Sequence, residues 1–305
     1  MTDSIQVRLA TAADAPGMLR VSQIAFAARR PVDPPAAALC DTLADVERAL
    51  GEGWGVCAFD GDRIVGGLLV TRDGETATLR RVSVLPGHAG RGIAKAMVGG
   101  AISLAADAGL RQAEVLCRQE FPELVGWWRD HGFGLLRETP AGLVLGRDLP
   151  VIVTIATPEA MHDLGIRLAG LLRPGDVIIA TGGLGAGKTT LTQGIGEGLR
   201  VDGPVISPTF VLSRIHPSRD GGPALVHVDA YRMADADELA DIDLDATLPR
   251  SVTLVEWGEG IAEWLSEERL LIDIDRDAGD ETRIVTLTGT GPRWAGALEP
   301  LRRTP

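Results

Sequence analysis

The decapeptide TGGLGAGKTT at residues 181–190 sets Gly182, four further residues, and then Gly187, Lys188 and Thr189 in a row. That spacing fits the phosphate-cradling pattern GxxxxGK[ST], and each residue type has a chemical reason to be there. Glycine reaches positive φ and lets the backbone come close. Successive amides across Gly182, Gly183, Leu184, Gly185 and Ala186 can therefore point at phosphate oxygens. A helix that starts at the end of the loop adds the partial positive charge of its N-terminus, around Thr189 and Thr190. Lys188 supplies a movable cation for the outer phosphates, and Thr189 offers a hydroxyl to magnesium. The plain alternative is a glycine-rich turn that happens to precede a helix. The chain has only two lysines, Lys95 and Lys188, and one of them sits in this loop.

A loop of this kind also needs a carboxylate at a strand end, to hold magnesium or to orient water. Two apolar runs offer one: ALVHVD ends in Asp229, and SVTLVEW carries Glu256 next to its last residue. In a parallel sheet both ends converge beside the loop. Taken singly, each reads equally well as a solvated acid at a strand end.

The first half holds a second glycine-rich turn, in RRVSVLPGHAGRGIAKAMV. It is too short for the first pattern and lacks the lysine. Gly90, Gly92 and the small Ala94, with Arg91 and Ile93 between them, would let amides at a helix start meet a diphosphate. A simple tight turn is the competing reading. Trp127 and Trp128, further on, read as packing residues on an amphipathic helix.

The elements that must position these residues follow from hydrophobic period. In the first half, IQVRLA reads as a strand and two helical stretches follow it. GWGVCAFD, DRIVGGLLVTR and ATLRRVSVLP then read as consecutive strands joined at DGD and RDGE. A helix, a strand, a helix at PELVGWWRDHG and a final hairpin complete that half. The pattern restarts after RDLP: strand VIVTIA, helix PEAMHDLGIRLAGLL, strand DVIIATG into the loop, and helix KTTLTQGIGEGL. Strands ALVHVD, SVTLVEW, RLLIDID and RIVTLTG follow, interrupted by a helical acidic run, DADELADIDLDATL. The expected organisation is an α/β domain over residues 1–149, a second α/β domain over 150–290, and a loose tail over 291–305 rich in Pro, Gly and Arg.

Composition narrows the function. The chain has 305 residues and a net charge of −12. Residues 1–150 carry 18 acidic and 16 basic side chains; the rest carries 24 acidic and 14 basic. So acidic a second half is a poor counter-ion for nucleic-acid backbones, and any nucleic acid would come by way of a partner protein. Cys40, Cys57 and Cys117 stand far apart with no metal-ligand spacing, and read as reduced, mostly buried thiols. No stretch reaches spanning length and the first residues lack a signal-peptide pattern, so a soluble, cytoplasmic protein without membrane contact is expected.

In their order and spacing, TGGLGAGKTT, ISPTF, VHVDAYR, DADEL and LVEW resemble the TsaE family, the ATPase subunit of the bacterial machinery that makes threonylcarbamoyladenosine in tRNA. The resemblance covers about residues 152–290. It implies a P-loop NTPase-like sheet with helices, and ATP and Mg2+ as ligands of Gly182 to Thr190. It implies that SPTF is a switch-like segment with Thr209 as its functional hydroxyl. Asp229 and Glu256 match the family's acidic positions, with Glu256 and Thr189 as the magnesium ligands. The family's partners are two subunits of the threonylcarbamoyl-transfer complex, through which alone tRNA is reached. Where the family has Asp after the first loop glycine, this chain has Gly183.

The strand order of the first half, its turn and WWRDHGF resemble the GNAT acetyltransferases. There the turn cradles the pyrophosphate of acetyl-CoA and the preceding strand, here Val82 to Val84, contacts the acetyl and pantetheine part. The chain departs from that family at Ala89, where Gln or Arg is usual, and at Trp128, where the usual residue is a tyrosine able to protonate a leaving thiolate. The reading is thus a GNAT-like domain, of unknown acceptor, joined to an ATPase with Lys188, Thr209, Asp229 and Glu256 as its working side chains. The alternatives are a small-molecule kinase in the second half and a non-catalytic acyl-CoA-binding or docking module in the first.

Overall fold

Two seven-stranded mixed sheets organise the chain, one in each of two compact units, Met1–Leu149 and Pro150–Pro305. The computed structural model describes residues 5–208, 211–276 and 282–302.

In the first unit the elements are β1 (Gln6–Leu9), α1 (Ala15–Ala27), α2 (Leu43–Glu52), β2 (Trp54–Asp60), β3 (Arg63–Asp73) and β4 (Thr76–Val84). They are followed by α3 (Ile93–Asp107), β5 (Gln112–Cys117), α4 (Pro122–Asp130), β6 (Gly134–Thr139) and β7 (Gly142–Asp148). The sheet order is β1-β2-β3-β4-β5-β7-β6, antiparallel throughout except between β4 and β5. The second of the two helical stretches expected before β2, residues 35–50, is divided: Thr42 caps α2 by accepting from the Asp45 amide, while the Asp45 carboxylate accepts from the Thr42 amide. The β4–β5 ladder ends at Leu79 and Val115, but β3 stays paired with β4 as far as Val84. A bulge and a left-handed Arg81 turn β4 away from β5. The sheet therefore opens at Val82–Val84, beside the turn that starts α3.

The second unit runs β8 (Val151–Ile155), α5 (Pro158–Ala169), β9 (Val177–Gly182), α6 (Lys188–Gly198), β10 (Ser213–His216) and β11 (Ala224–Asp229). Then come α7 (Ala236–Ala240), β12 (Ser251–Glu256), β13 (Arg269–Arg276) and β14 (Arg283–Gly289). Its order is β10-β11-β12-β9-β13-β14-β8, with a parallel centre of β11, β12, β9 and β13. The central strands are buried on both faces, which is why they read as unbroken apolar runs. Ile178, Ala180, Leu225 and Leu254 share one core with Met161 and Leu164 of α5 and Leu191 and Ile195 of α6. Val177, Ile179, Val226, Val228 and Val255 face a second core with Leu239, Leu244 and Leu265. α5 and α6 touch backbone to backbone: a Cβ on Gly194 would lie 2.0 Å from the His162 carbonyl oxygen. That contact fixes where α6 begins relative to β9.

Two expectations are corrected. The acidic run is helical only over Ala236–Ala240, because Asp243 adopts the left-handed region and the chain continues in short 3-10 turns. Residues 292–302 of the tail, expected to be loose, are packed. Trp294, Leu298 and Leu301 are buried in the core under α5 and β8. Arg293 donates to both Asp176 oxygens, at 2.8 and 2.7 Å, and to the Leu171 carbonyl at 2.8 Å. The Pro, Gly and Arg content concealed three apolar anchors at helical spacing. Cys57 and Cys117 are buried, and burial pushes their thiols up to about 12 and about 11, whereas Cys40 is exposed. Among the described residues no helix is long and apolar enough to cross a membrane.

Removing one member of a buried ion pair strands its partner. Asp176→Ala should lower the unfolding free energy of the second unit by about 3 kcal/mol or more in urea titrations. A loss under about 1 kcal/mol would mean that the Arg293–Asp176 pair behaves like an exposed one.

Candidate functional site

β9 delivers Gly182 to the loop, and α6 takes over at Lys188. Gly182 and Gly187 have φ of 135° and 114°, values that side-chain-bearing residues rarely adopt. A Cβ at Gly182 would also lie 2.5 Å from the Ile274 carbonyl oxygen on the neighbouring strand. Gly187 caps α6, leaving the amides of Lys188, Thr189 and Thr190 as its free first-turn donors. Ala186 is buried and Leu184 stands 90% exposed at the loop tip. At Gly183 a Cβ would meet nothing within 4 Å, so the loop does not require glycine there for space.

Lys188 curls back into the loop. Its Nζ donates to the carbonyls of Gly182 at 2.7 Å and Gly183 at 3.1 Å, and lies 3.8 Å above the Trp257 ring. Burial lowers the pKa of this ammonium, against the opposing charges of Glu256 and Asp229.

The parallel register places Asp229 opposite Glu256, and Glu256 opposite Ala180. Both carboxylates therefore stand at the same edge as the loop, 5% and 3% exposed. Glu256 is the one that reaches the loop. Its Oε1 accepts from the Thr189 hydroxyl at 3.1 Å, and its Oε2 is 3.3 Å from the same hydroxyl. Asp229 faces elsewhere: it accepts from the Tyr231 amide at 3.1 Å and from the Ser207 hydroxyl at 3.2 Å. Ser207 opens the SPTF segment, but Thr209 lies outside the described residues.

The donor set fits the expected ligands. Oriented amides and an ammonium suit phosphate oxygens, and a hydroxyl beside a carboxylate suits a hard divalent cation. Among the described residues no group of three or more His, Cys, Asp or Glu side chains gathers as a metal cage. Mg2+ bound through one or two protein oxygens plus phosphate and water has no need of such a cage.

Two side chains in this cluster carried no assignment from sequence. His227 is fully buried and its Nε2 lies 2.9 Å from Glu256 Oε1. Trp257 has φ of 62° and supports the lysine, with Tyr231 tilted against it at 5.1 Å. The signal for His227 was the period of two along β11, which puts it on the face of Asp229. The signal for Trp257 was only its position after the carboxylate.

In the first unit, Gly90 and Gly92 have φ of 78° and 73°, and Gly92 caps α3. A Cβ on either would meet nothing within 4 Å, so the space above the turn is open. Ile93 is buried beneath it, Ala94 is half-buried, and Arg91 and His88 both hold Asp60 Oδ2 at 3.1 Å. These contacts, led by Arg91, keep the Asp60 carboxyl below its usual value. The helix start and basic turn fit a diphosphate. Val82 and Val84 are half-buried on the opened part of β4, and the Val82 carbonyl accepts from Arg29 at 3.3 Å. Trp128 is a core residue, 5% exposed and edge-on to Phe133 at 4.7 Å.

Comparison with known proteins finds similarity for each unit. The profile of the Acetyltransferase (GNAT) family matches residues 20–133. A crystal structure of the PaiA N-acetyltransferase from Thermoplasma acidophilum, in complex with coenzyme A, is similar at 12% identity and a TM-score of 0.44, over 48% of this chain and 99% of that one. The profile described as Threonylcarbamoyl adenosine biosynthesis protein TsaE matches residues 155–285. The tRNA threonylcarbamoyladenosine biosynthesis protein TsaE of Streptomyces coelicolor is 60% identical over 141 residues, 45% of this chain and 95% of that protein. Its Bacillus subtilis counterpart is 44% identical over 147 residues, 48% of this chain and 90% of that protein. The phosphate loop, the two strand-end carboxylates and a relative matched over nearly its whole length place this chain, through its second unit, in the TsaE family.

Proposed function

We propose that the second unit binds ATP with Mg2+ and hydrolyses it in support of threonylcarbamoyladenosine formation in tRNA, working beside two partner subunits, one of which carries out the transfer. The observation that carries this reading is the Thr189–Glu256 pair, 3.1 Å apart at the mouth of a loop that also holds Lys188. Bound Mg2+ supplies charge neutralisation at the phosphate oxygens. Lys188 exchanges its two carbonyl partners for phosphate oxygens. The first-turn amides of α6 orient the phosphate chain, and Thr189 and Glu256 hold the cation's protein side. Asp229 couples the site to the SPTF segment through Ser207, and Thr209 is the hydroxyl of that segment. The acidic surface suits docking to a protein better than contact with tRNA phosphates.

The first unit, on this proposal, binds acetyl-CoA. The amides of Gly90 to Ala94 receive its diphosphate, and the opened edge at Val82–Val84 receives the thioester end. Acetyl transfer also needs a proton for the departing thiolate, and the buried indole of Trp128 is no such acid. Acetylation is therefore slow unless the acceptor or water provides that proton.

The lysine tests the second unit. Lys188→Ala should bind ATP at least about tenfold more weakly, because a charge-assisted contact is worth about 1.5–3 kcal/mol. Calorimetry measures the affinity, and phosphate release with the two partner subunits added measures turnover. Unchanged affinity and turnover would remove the phosphate cradle from consideration.

The turn tests the first unit. Gly92→Val places a β-branched residue at φ of 73° and forces the turn to rearrange. Acetyl-CoA affinity should fall by about tenfold or more, as expected when a helix-terminus anion site is misdirected. No acetyl-CoA binding by the unaltered protein would exclude the assignment, and rapid amine acetylation by it would show that another acid serves.

A further inference from the structure

His227 sits where the sheet has every reason to place an aliphatic residue. Its neighbours on the same face of the sheet, Leu225 on β11 and Leu254 opposite it on β12, belong to the apolar core shared with α6. The imidazole is 0% exposed, and its Nδ1 has no hydrogen-bond partner among the described residues. A bare buried ring nitrogen costs stability, so packing does not account for the residue. Among the described residues it makes one hydrogen bond, Nε2 to Glu256 Oε1 at 2.9 Å. A ring nitrogen that faces a carboxylate oxygen at this distance donates its N–H to it.

That oxygen is the one that also accepts from the Thr189 hydroxyl at 3.1 Å. Among the described residues, Thr189 and His227 are the two side chains hydrogen-bonded to Glu256. They play unequal parts. Thr189 belongs to α6 and turns toward whatever occupies the loop. His227 is clamped in the sheet interior and cannot follow. A carboxylate 3% exposed at the end of β12 would otherwise rotate freely about its last torsion.

We propose that His227 is a positioning residue: its Nε2–H fixes the rotation of the Glu256 carboxylate so that an oxygen faces the Thr189 hydroxyl, ready for a divalent cation. The inference rests on the phosphate-loop reading above and deepens it. It assigns to the histidine the selectivity of the site for cation-bound over cation-free nucleotide. Lys188 and the loop amides, which hold the nucleotide itself, do not touch His227.

The test is Mg2+ titration of N-methylanthraniloyl-ADP binding to the full chain, by fluorescence, in the unaltered protein and in His227→Leu, His227→Gln and His227→Asn. Glutamine carries an amide nitrogen near the Nε2 position; asparagine carries one near Nδ1, short of Glu256. The Leu and Asn variants should raise the half-saturating Mg2+ concentration about 10–100-fold, the usual consequence of losing a hydrogen bond to a cation ligand. Their affinity for the same probe in EDTA, and its dependence on Lys188, should remain. The Gln variant should keep a half-point close to that of the unaltered protein. A Leu variant with an unshifted half-point would overturn the proposal, as would equal loss of affinity with and without Mg2+. If His227→Leu fails to fold, as circular dichroism would show, the Gln and Asn pair decides: matching half-points overturn the assignment and separated ones support it. An unaltered protein that binds no ADP at all would overturn the phosphate-loop reading itself, and this inference with it.

Discussion

A carboxylate that is 3% exposed must find donors, and the second unit is arranged around that need at Glu256. The hydroxyl of Thr189 and the imidazole of His227 come from different elements, α6 and β11. Both are in reach only because β11, β12 and β9 run parallel in one register, and because α6 starts at Gly187. The start of α6 is in turn set by the glycine contact with α5 and by the positive φ of Gly182 and Gly187. Shifting any strand by one residue would turn its side chain to the opposite core. The site thus tolerates little change in the sheet centre, although its own residues are few.

On the proposed reading, the two units hold a phosphate-bearing ligand by related means. Each ends a strand in a glycine-rich turn and begins a helix from a glycine in the left-handed region, Gly92 in one and Gly187 in the other. They differ in what surrounds that helix start. The turn of the first unit is basic, with Arg91 and His88 gathered by Asp60, and a diphosphate needs little more. The loop of the second adds a lysine, a hydroxyl and a buried carboxylate. Such groups suit a transferable phosphate and its cation. On the proposed reading, the same backbone device serves binding in one unit and chemistry in the other.

The terminal segment shows how a small number of apolar anchors outweighs composition. Trp294, Leu298 and Leu301 close one end of the core, and Arg293 satisfies Asp176 beneath them. Gly289 leaves room for this: a Cβ there would lie 2.4 Å from that of Trp294. Residues remote from the loop in sequence thus complete the core on which the parallel strands rest.

Much of the site was legible in the chain because its signals are local. The loop needs glycines, Lys188 and Thr189 within eight residues; β11 and β12 announce themselves by apolar runs ending in acids; the turn before α3 is a short contiguous string. Other features depended on register and packing between distant segments. That Glu256 and not Asp229 reaches Thr189 follows from how β12 lies beside β9, which no single stretch encodes. His227 and Trp257 acquire their places from neighbours on other strands, and Trp294 acquires its burial from α5 and β8. Local residue types determined which backbone shapes and which chemistry were possible. Only the pairing of strands far apart in sequence, where one residue of register exchanges one face for the other, decided which side chains meet.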